Sequence, residues 1–185
     1  MKRIAALALA GLMTAVPAEA ADNPLVGTIR TGAGEAASFA DIEQAVAKAD
    51  FVLIGEFHSN AEHHATQARL IAAMADAGRK PAVVFEMVPR GLQGALDAFQ
   101  GEDAPDAATL GEKLEWEKRG WPEWATYQPI AEAALAAGLP MIAGDLDRDT
   151  IRAVGKGEEE PEGGVAYSEA IRAKLGGEIM QAHCD

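Results

Sequence analysis

Residues 51–64 read Phe51-Val52-Leu53-Ile54-Gly55-Glu56-Phe57-His58-Ser59-Asn60-Ala61-Glu62-His63-His64, and the pattern sets the expected fold. Four apolar residues open the stretch, as in a buried strand, and polar residues begin where the run stops. Three of the chain's four histidines fall within residues 58–64. The carboxyl ends of strands are where open α/β sheets bind ligands. Imidazole and carboxylate together suit a metal ion, a haem iron or acid/base chemistry.

Outward from this stretch, strands alternate with helices. Leu70, Ile71 and Met74 stand at helical spacing and predict a helix over 61–77, ended by Gly78 ahead of Pro81. A second strand follows at 82–88, helices at 90–100 and 107–119, a tryptophan-rich loop at 120–124, and a helix at 128–137. A third strand is predicted at 140–143 and a helix at 148–154. The polar, Gly-rich run 155–164 reads as a loop before helical spacing resumes at 167–175. Upstream, 26–31 reads as an edge strand, and Ser38 with Asp41 forms a capping signal for a helix over 39–49. This succession predicts an α/β fold, a mainly parallel sheet flanked by helices.

The predicted strand ends share one chemistry. The first leaves through Glu56 and His58, the second through Glu86, the third through Asp145 and Asp147. In a parallel sheet these ends lie along one edge, so distant residues converge on one cleft. A strand must turn polar as it leaves a core, but the repetition beside three histidines favours a site. Asn60 reads as an N-cap, which places His63 and His64 in a first helical turn about 100° apart. At most one of the two faces the same ligand as His58, and His64 is retained as the candidate. Glu86 is costly to bury unless it is paired, with Arg90 as one partner or a metal or imidazole as another. Trp116, Trp121 and Trp124, with Tyr127 close behind, concentrate aromatic surface in a chain only 5% aromatic. They are read as a wall for a flat ligand. Neither a His-Glu-x-x-His zinc motif nor a Gly-x-Ser-x-Gly elbow occurs, which disfavours a closed zinc site and a serine hydrolase.

Lys2 and Arg3, an apolar run over 4–13 and Ala18-Glu19-Ala20 are read as a signal peptide spanning 1–20, with the folded domain over 21–185. The sole cysteine is Cys184, so there is neither a lipobox cysteine near the leader nor an intramolecular disulfide. The destination expected is the periplasm, without a lipid anchor. A formal net charge of −13 makes nucleic acid a poor partner and leaves small ligands, cations and proteins. Export predicts a periplasmic product that begins at Ala21; an intact mass that retains Met1 or carries an acyl group would contradict it.

Four segments together carry a family resemblance: VLIGEFHSNAEHH at 52–64, VVFEMVPRGLQGALDAF at 83–99, the spacing from Trp116 through Trp121-Pro122, Trp124 and Tyr127 to Pro129, and GLPMIAGDLDR at 138–148. In order and spacing the chain resembles the ChaN-like haem-binding uptake family, grouped with the Tiki metalloproteases and, more distantly, the erythromycin esterases. The resemblance runs from about residue 51 to Cys184. It implies haem as cofactor, haem or iron uptake as function, and a second copy or an outer-membrane haem-uptake protein as partner. It further implies Tyr127 as first choice for the iron and His58 as second. His64 and Trp124 would line the cofactor, and Arg90 and Arg148 would meet its propionates. In the family a similar His-Cys pair is followed by more helix, so a C-terminally incomplete domain is expected. The alternative is a metal-dependent hydrolase, a Tiki-like protease or an esterase, with Glu56, His58, Glu86 and His183 around a divalent ion.

Overall fold

The computed structural model describes residues 24–159 together with 169, 173–175 and 177–178. The expected signal peptide and His183 lie outside the described residues. So does most of the 167–175 helix, of which 169 and 173–175 are helical. The chain divides into two compact units, one ending at Lys48 and one starting at Ala49. No helix among the described residues is long and apolar enough to cross a membrane.

In the first unit, β1 (Ile29–Arg30) and β2 (Ala36–Ala37) form a short antiparallel pair in place of the single edge strand expected over 26–31. The reversal uses Gly34 at φ 84°, a left-handed conformation that glycine adopts without steric cost. Helix α1 (Phe39–Val46) begins as expected. The Ser38 hydroxyl accepts from the Asp41 amide, and the Asp41 carboxylate accepts from the Ser38 amide at 2.8 Å. Those bonds hold the Asp41 carboxyl below its ordinary range.

The second unit is built on β3 (Val83–Pro89) and β4 (Met141–Asp145), paired in parallel with Val83 opposite Met141 and Phe85 opposite Ala143. Parallel strands need a long crossover. Here it consists of a 3₁₀ turn (Arg90–Leu92), α3 (Gln93–Gln100), α4 (Ala107–Lys113), a second 3₁₀ turn (Glu117–Arg119) and α5 (Trp124–Ala136). Strand period two turns Val83, Phe85 and Met87 inward with Met141 and Ala143, where they join Leu96, Phe99, Leu110 and Ile130 in one core. The opposite face carries Val84, 59% exposed, and Gly144. Helix α2 (Ala61–Asp76) lies along α5 and adds Ile71 to that core, and α6 (Arg148–Gly155) follows β4.

Besides the 26–31 strand and the helix expected over 107–119, which ends at Lys113, two expectations about elements are corrected. Residues 51–57 carry no regular secondary structure and belong to no sheet, and Phe51 and Leu53 are 88% and 96% exposed. A cavity of about 760 Å³ separates residues 50–56 from β3, so the close interstrand approach that a ladder needs is not made. An apolar run supplies the propensity for a strand, but burial requires a neighbouring edge and a layer over each face. The second correction is that α5 starts at Trp124, which puts Trp124 and Tyr127 on a helix rather than in a loop.

The far edge of β4 is closed by side chains of α3. The Gln100 amide oxygen accepts from the Met141 amide at 2.7 Å, and that of Gln93 accepts from the Ala143 amide at 2.8 Å. Spaced seven apart, the two glutamines share one helix face and stand in for a missing strand. Gln100→Leu keeps the volume and orphans the Met141 amide, so the urea midpoint should fall by the equivalent of about 1–3 kcal/mol.

Candidate functional site

The polar centre of the second unit forms around one carboxylate. Glu56 lies near the end of the 51–57 segment, and its side chain is 7% exposed. Asn60 caps α2 as expected, its side chain accepting from the Glu62 and His63 amides. The first turn then sends the two adjacent histidines in different directions. His63 turns outward and its Nδ1 accepts from the Phe57 amide at 3.0 Å. His64 turns inward, is wholly buried, and stacks on Tyr127 with ring centroids 3.8 Å apart. Gln67, three residues further along the same face, donates to Glu56 Oε2.

Tyr127 comes from the first turn of α5. Its hydroxyl donates to Glu56 Oε1 at 2.6 Å and lies 3.2 Å from the His58 carbonyl oxygen. His58 Nδ1 sits 2.8 Å from the same Oε1 and 3.2 Å from the phenol oxygen. The His58 side chain is 41% exposed, and its ring meets Trp121 edge-on at 5.0 Å. Thus Glu56, His58, His64 and Tyr127 are brought together. Gln67, which sequence reasoning missed, belongs with them; its only signal was its place one turn beyond His64.

Burial pushes the Glu56 carboxyl up. Hydrogen bonds from Tyr127, His58 and Gln67 and the electrostatic influence of His64 outweigh that penalty, and they hold it below its ordinary value. Tyr127 moves the other way: burial first, then its bond to Glu56 and the charges of Glu56 and Glu86, push its phenol well above the usual range. His64 Nε2 is 3.3 Å from Glu56 Oε2, within ion-pair range but outside hydrogen-bond geometry, so neither ring nitrogen has a hydrogen-bond partner.

The remaining candidates are dispersed. Trp116 and Trp124 are buried in the core. Their indole nitrogens donate to the Pro122 and Ala107 carbonyl oxygens, and a side chain on Gly111 would collide with the Trp124 ring. Only Trp121 keeps surface, so the expected aromatic wall reduces to one indole. Glu86 is exposed and lines the 760 Å³ cavity with Glu56 and Gln67. Among the described residues no group of three or more His, Cys, Asp or Glu is placed to hold a metal ion, and His183, the fourth residue of the divalent-ion alternative, lies outside them. The Glu56 oxygens are already engaged by tyrosine, histidine and glutamine. Arg90 and Arg148 are both exposed, each just beyond the end of a parallel strand, and the Gly91 amide ties the two loops together by donating to Asp147 at 2.9 Å.

Tyr127→Phe preserves the stacked ring and removes one donor from the carboxylate. A carboxyl held low in the folded chain contributes stability that is complete above its unfolded value and lost as pH falls through the folded one. The variant should therefore lose about 1.5–3 kcal/mol near neutrality. The deficit should shrink below the ordinary glutamate value of 4.5, measured as urea midpoints across a pH series.

The chain shares its fold with a solved structure of ChaN of Campylobacter jejuni, described for cofacial heme binding, at 24% identity and a TM-score of 0.66. The match covers 84% of this chain and 62% of that one. No match is found among curated proteins. The profile of the haem-binding uptake family, Tiki superfamily, ChaN, matches residues 42–184, well over half the sequence. On that match, the protein with Glu56, His58, His64 and Tyr127 at its polar centre belongs to the ChaN family of haem-binding uptake proteins.

Proposed function

We propose that the protein binds haem, with His58 Nε2 as the atom that would hold the iron and Trp121 as the indole that would meet the apolar face of the group. The observation that carries this reading is the state of His58. One ring nitrogen is held by a carboxylate while the imidazole stays 41% exposed beside the one tryptophan that keeps surface. A histidine that ligates a metal usually donates its other N–H to a carboxylate or carbonyl, which fixes the ring and raises its basicity. His58 already has that support. Tyr127, the first choice from family resemblance, is wholly buried and donates to Glu56. Its oxygen would have to leave the carboxylate to reach an iron.

Haem carries two propionates as well as iron. Arg90 and Arg148 supply positive charge at the ends of β3 and β4, in loops joined through Gly91 and Asp147, and are the residues proposed to meet them. When bound, haem would supply an iron centre and a large flat apolar surface. The chain's own residues orient one imidazole and offer an indole edge.

Family membership supports a role in haem or iron uptake. The basic and apolar leader supports a periplasmic setting, where a second copy or an outer-membrane uptake protein would be the partner.

Hemin titrated into the full chain should produce a saturable Soret shift. His58→Ala should weaken binding by more than about tenfold, the smallest loss typical even of a residue that only supports a ligand. Trp121→Ala should weaken it less and blue-shift the band. A folded wild-type protein, verified by circular dichroism, that shows no saturable shift would overturn the reading. Hydrolysis of an ester panel that is lost in His58→Ala would then favour a metal-free histidine base.

A further inference from the structure

We propose that His63 is a positioning residue: its imidazole latches the Phe57 amide and so sets the backbone from which Glu56 and His58 reach the site. The consequence for ligand binding rests on the haem reading above, whichever side chain meets the iron. The latch itself does not rest on it.

Phe57 stands between the two residues that must be placed, and its own side chain does not hold it. That side chain is 76% exposed, so burial does not fix it. Residues 51–57 belong to no sheet, so no ladder takes up the Phe57 backbone groups. Both are taken up instead by the start of α2. The Phe57 N–H donates to His63 Nδ1 at 3.0 Å, and the Phe57 carbonyl oxygen accepts from the Asn60 amide at 2.8 Å. Asn60 is at the same time the N-cap of α2, its side chain accepting from the Glu62 and His63 amides. The start of one helix therefore grips Phe57 from both sides, and the Phe57 and His63 rings lie 5.8 Å apart.

The leverage is geometric. Peptide units are planar, so orienting the Phe57 N–H orients the whole unit that joins it to Glu56. Orienting its carbonyl does the same for the unit that leads to His58. With both units set, the Glu56 and His58 side chains start from a fixed relation, and His58 Nδ1 comes to lie 2.8 Å from Glu56 Oε1. The same helix brings Gln67 and His64 to the other oxygen, Oε2. Helix α2 thus approaches the carboxylate directly through these two side chains and fixes the backbone that carries it through His63. A backbone N–H can only donate, so His63 Nδ1 must offer a lone pair, and a neutral ring then has its hydrogen on Nε2. The latch needs an acceptor at that place, and the adjacent histidines of the cluster have separate tasks.

Two substitutions isolate the acceptor. His63→Leu keeps a good helix former and removes the lone pair, whereas His63→Asn puts an amide oxygen close to the place of Nδ1. His63 is half-buried and outside the hydrophobic core, so the fold should survive both. In the apo chain, amide exchange at Phe57 should quicken by up to about tenfold in His63→Leu, as expected for the net loss of one hydrogen bond. The nitrogen-15 signals of the His58 ring should move as the ring parts from Glu56. His63→Asn should restore both. Faster exchange at Phe57 with the His58 signals unmoved shows a residue that only closes a turn, and overturns the proposal. So does a His63→Asn variant that behaves as His63→Leu does. In the haem arm, hemin affinity should fall about tenfold in His63→Leu, the lower end of the loss typical of outer partners, and recover in His63→Asn. An unchanged hemin affinity in a folded His63→Leu also overturns the proposal. A wild type without a hemin-induced Soret shift, but with the apo signals responding as above, removes the haem reading and leaves the positioning role of His63 standing.

Discussion

A buried carboxylate must be compensated, and the centre of this protein is arranged around the compensation of one. Left unpaired in the interior, Glu56 would cost several kcal/mol or take up a proton. Tyr127, His58 and Gln67 each turn toward it, and His64 is held close. These groups come from three places: the 51–57 segment with its following turn, the first turns of α2, and the first turn of α5. The carboxylate therefore sets where the two helices stand relative to the segment, as well as the chemistry there. Helices α2 and α5 lie along each other, and His64 of the first meets Tyr127 of the second at the site.

The same logic of satisfied polar groups shapes the sheet. A parallel pair has two edges, and unpaired backbone along an edge is a liability. On the β4 side the liability is met by Gln93 and Gln100 from α3. Arg119 does similar work at the far end of β3, donating to the Met87 and Leu114 carbonyl oxygens while lying over Trp116, 5.6 Å from the ring. Burial pushes its guanidinium down, partly offset by Glu115 and Asp145. Trp116 and Trp124 fill the space between these polar devices, and their N–H groups find backbone acceptors, as large buried indoles require. Two tryptophans thereby go to the fold and one to the surface beside His58.

In functional terms the structure separates groups that look equivalent along the chain. His63 and His64 are neighbours, yet one closes a loop and the other backs the site. Tyr127 and His58 both offer an atom suited to ferric iron, yet burial and a shared acceptor leave only the imidazole accessible. Glu86 resembles Glu56 in its strand context, but it lines a cavity without joining the cluster.

The sequence by itself determined much of the local structure, because local signals have local causes. Ser38 with Asp41 and Asn60 with the two amides that follow it start their helices where the side chains can cap them. The 3.6-residue period set His63 and His64 about 100° apart, so that no more than one could face the same ligand as His58. Shared motifs in order identified the family, now matched over residues 42–184. Only the tertiary structure decided the rest. Residues 51–57 have the composition of a buried strand, but pairing depends on an edge within reach, and a cavity lies between. Whether a tryptophan walls a ligand or fills a core depends on what packs over it, as Gly111 does for Trp124. Gln67 and Tyr127 lie 11 and 71 residues from Glu56, and a hydrogen bond to a carboxylate is satisfied in space, whatever the separation along the chain.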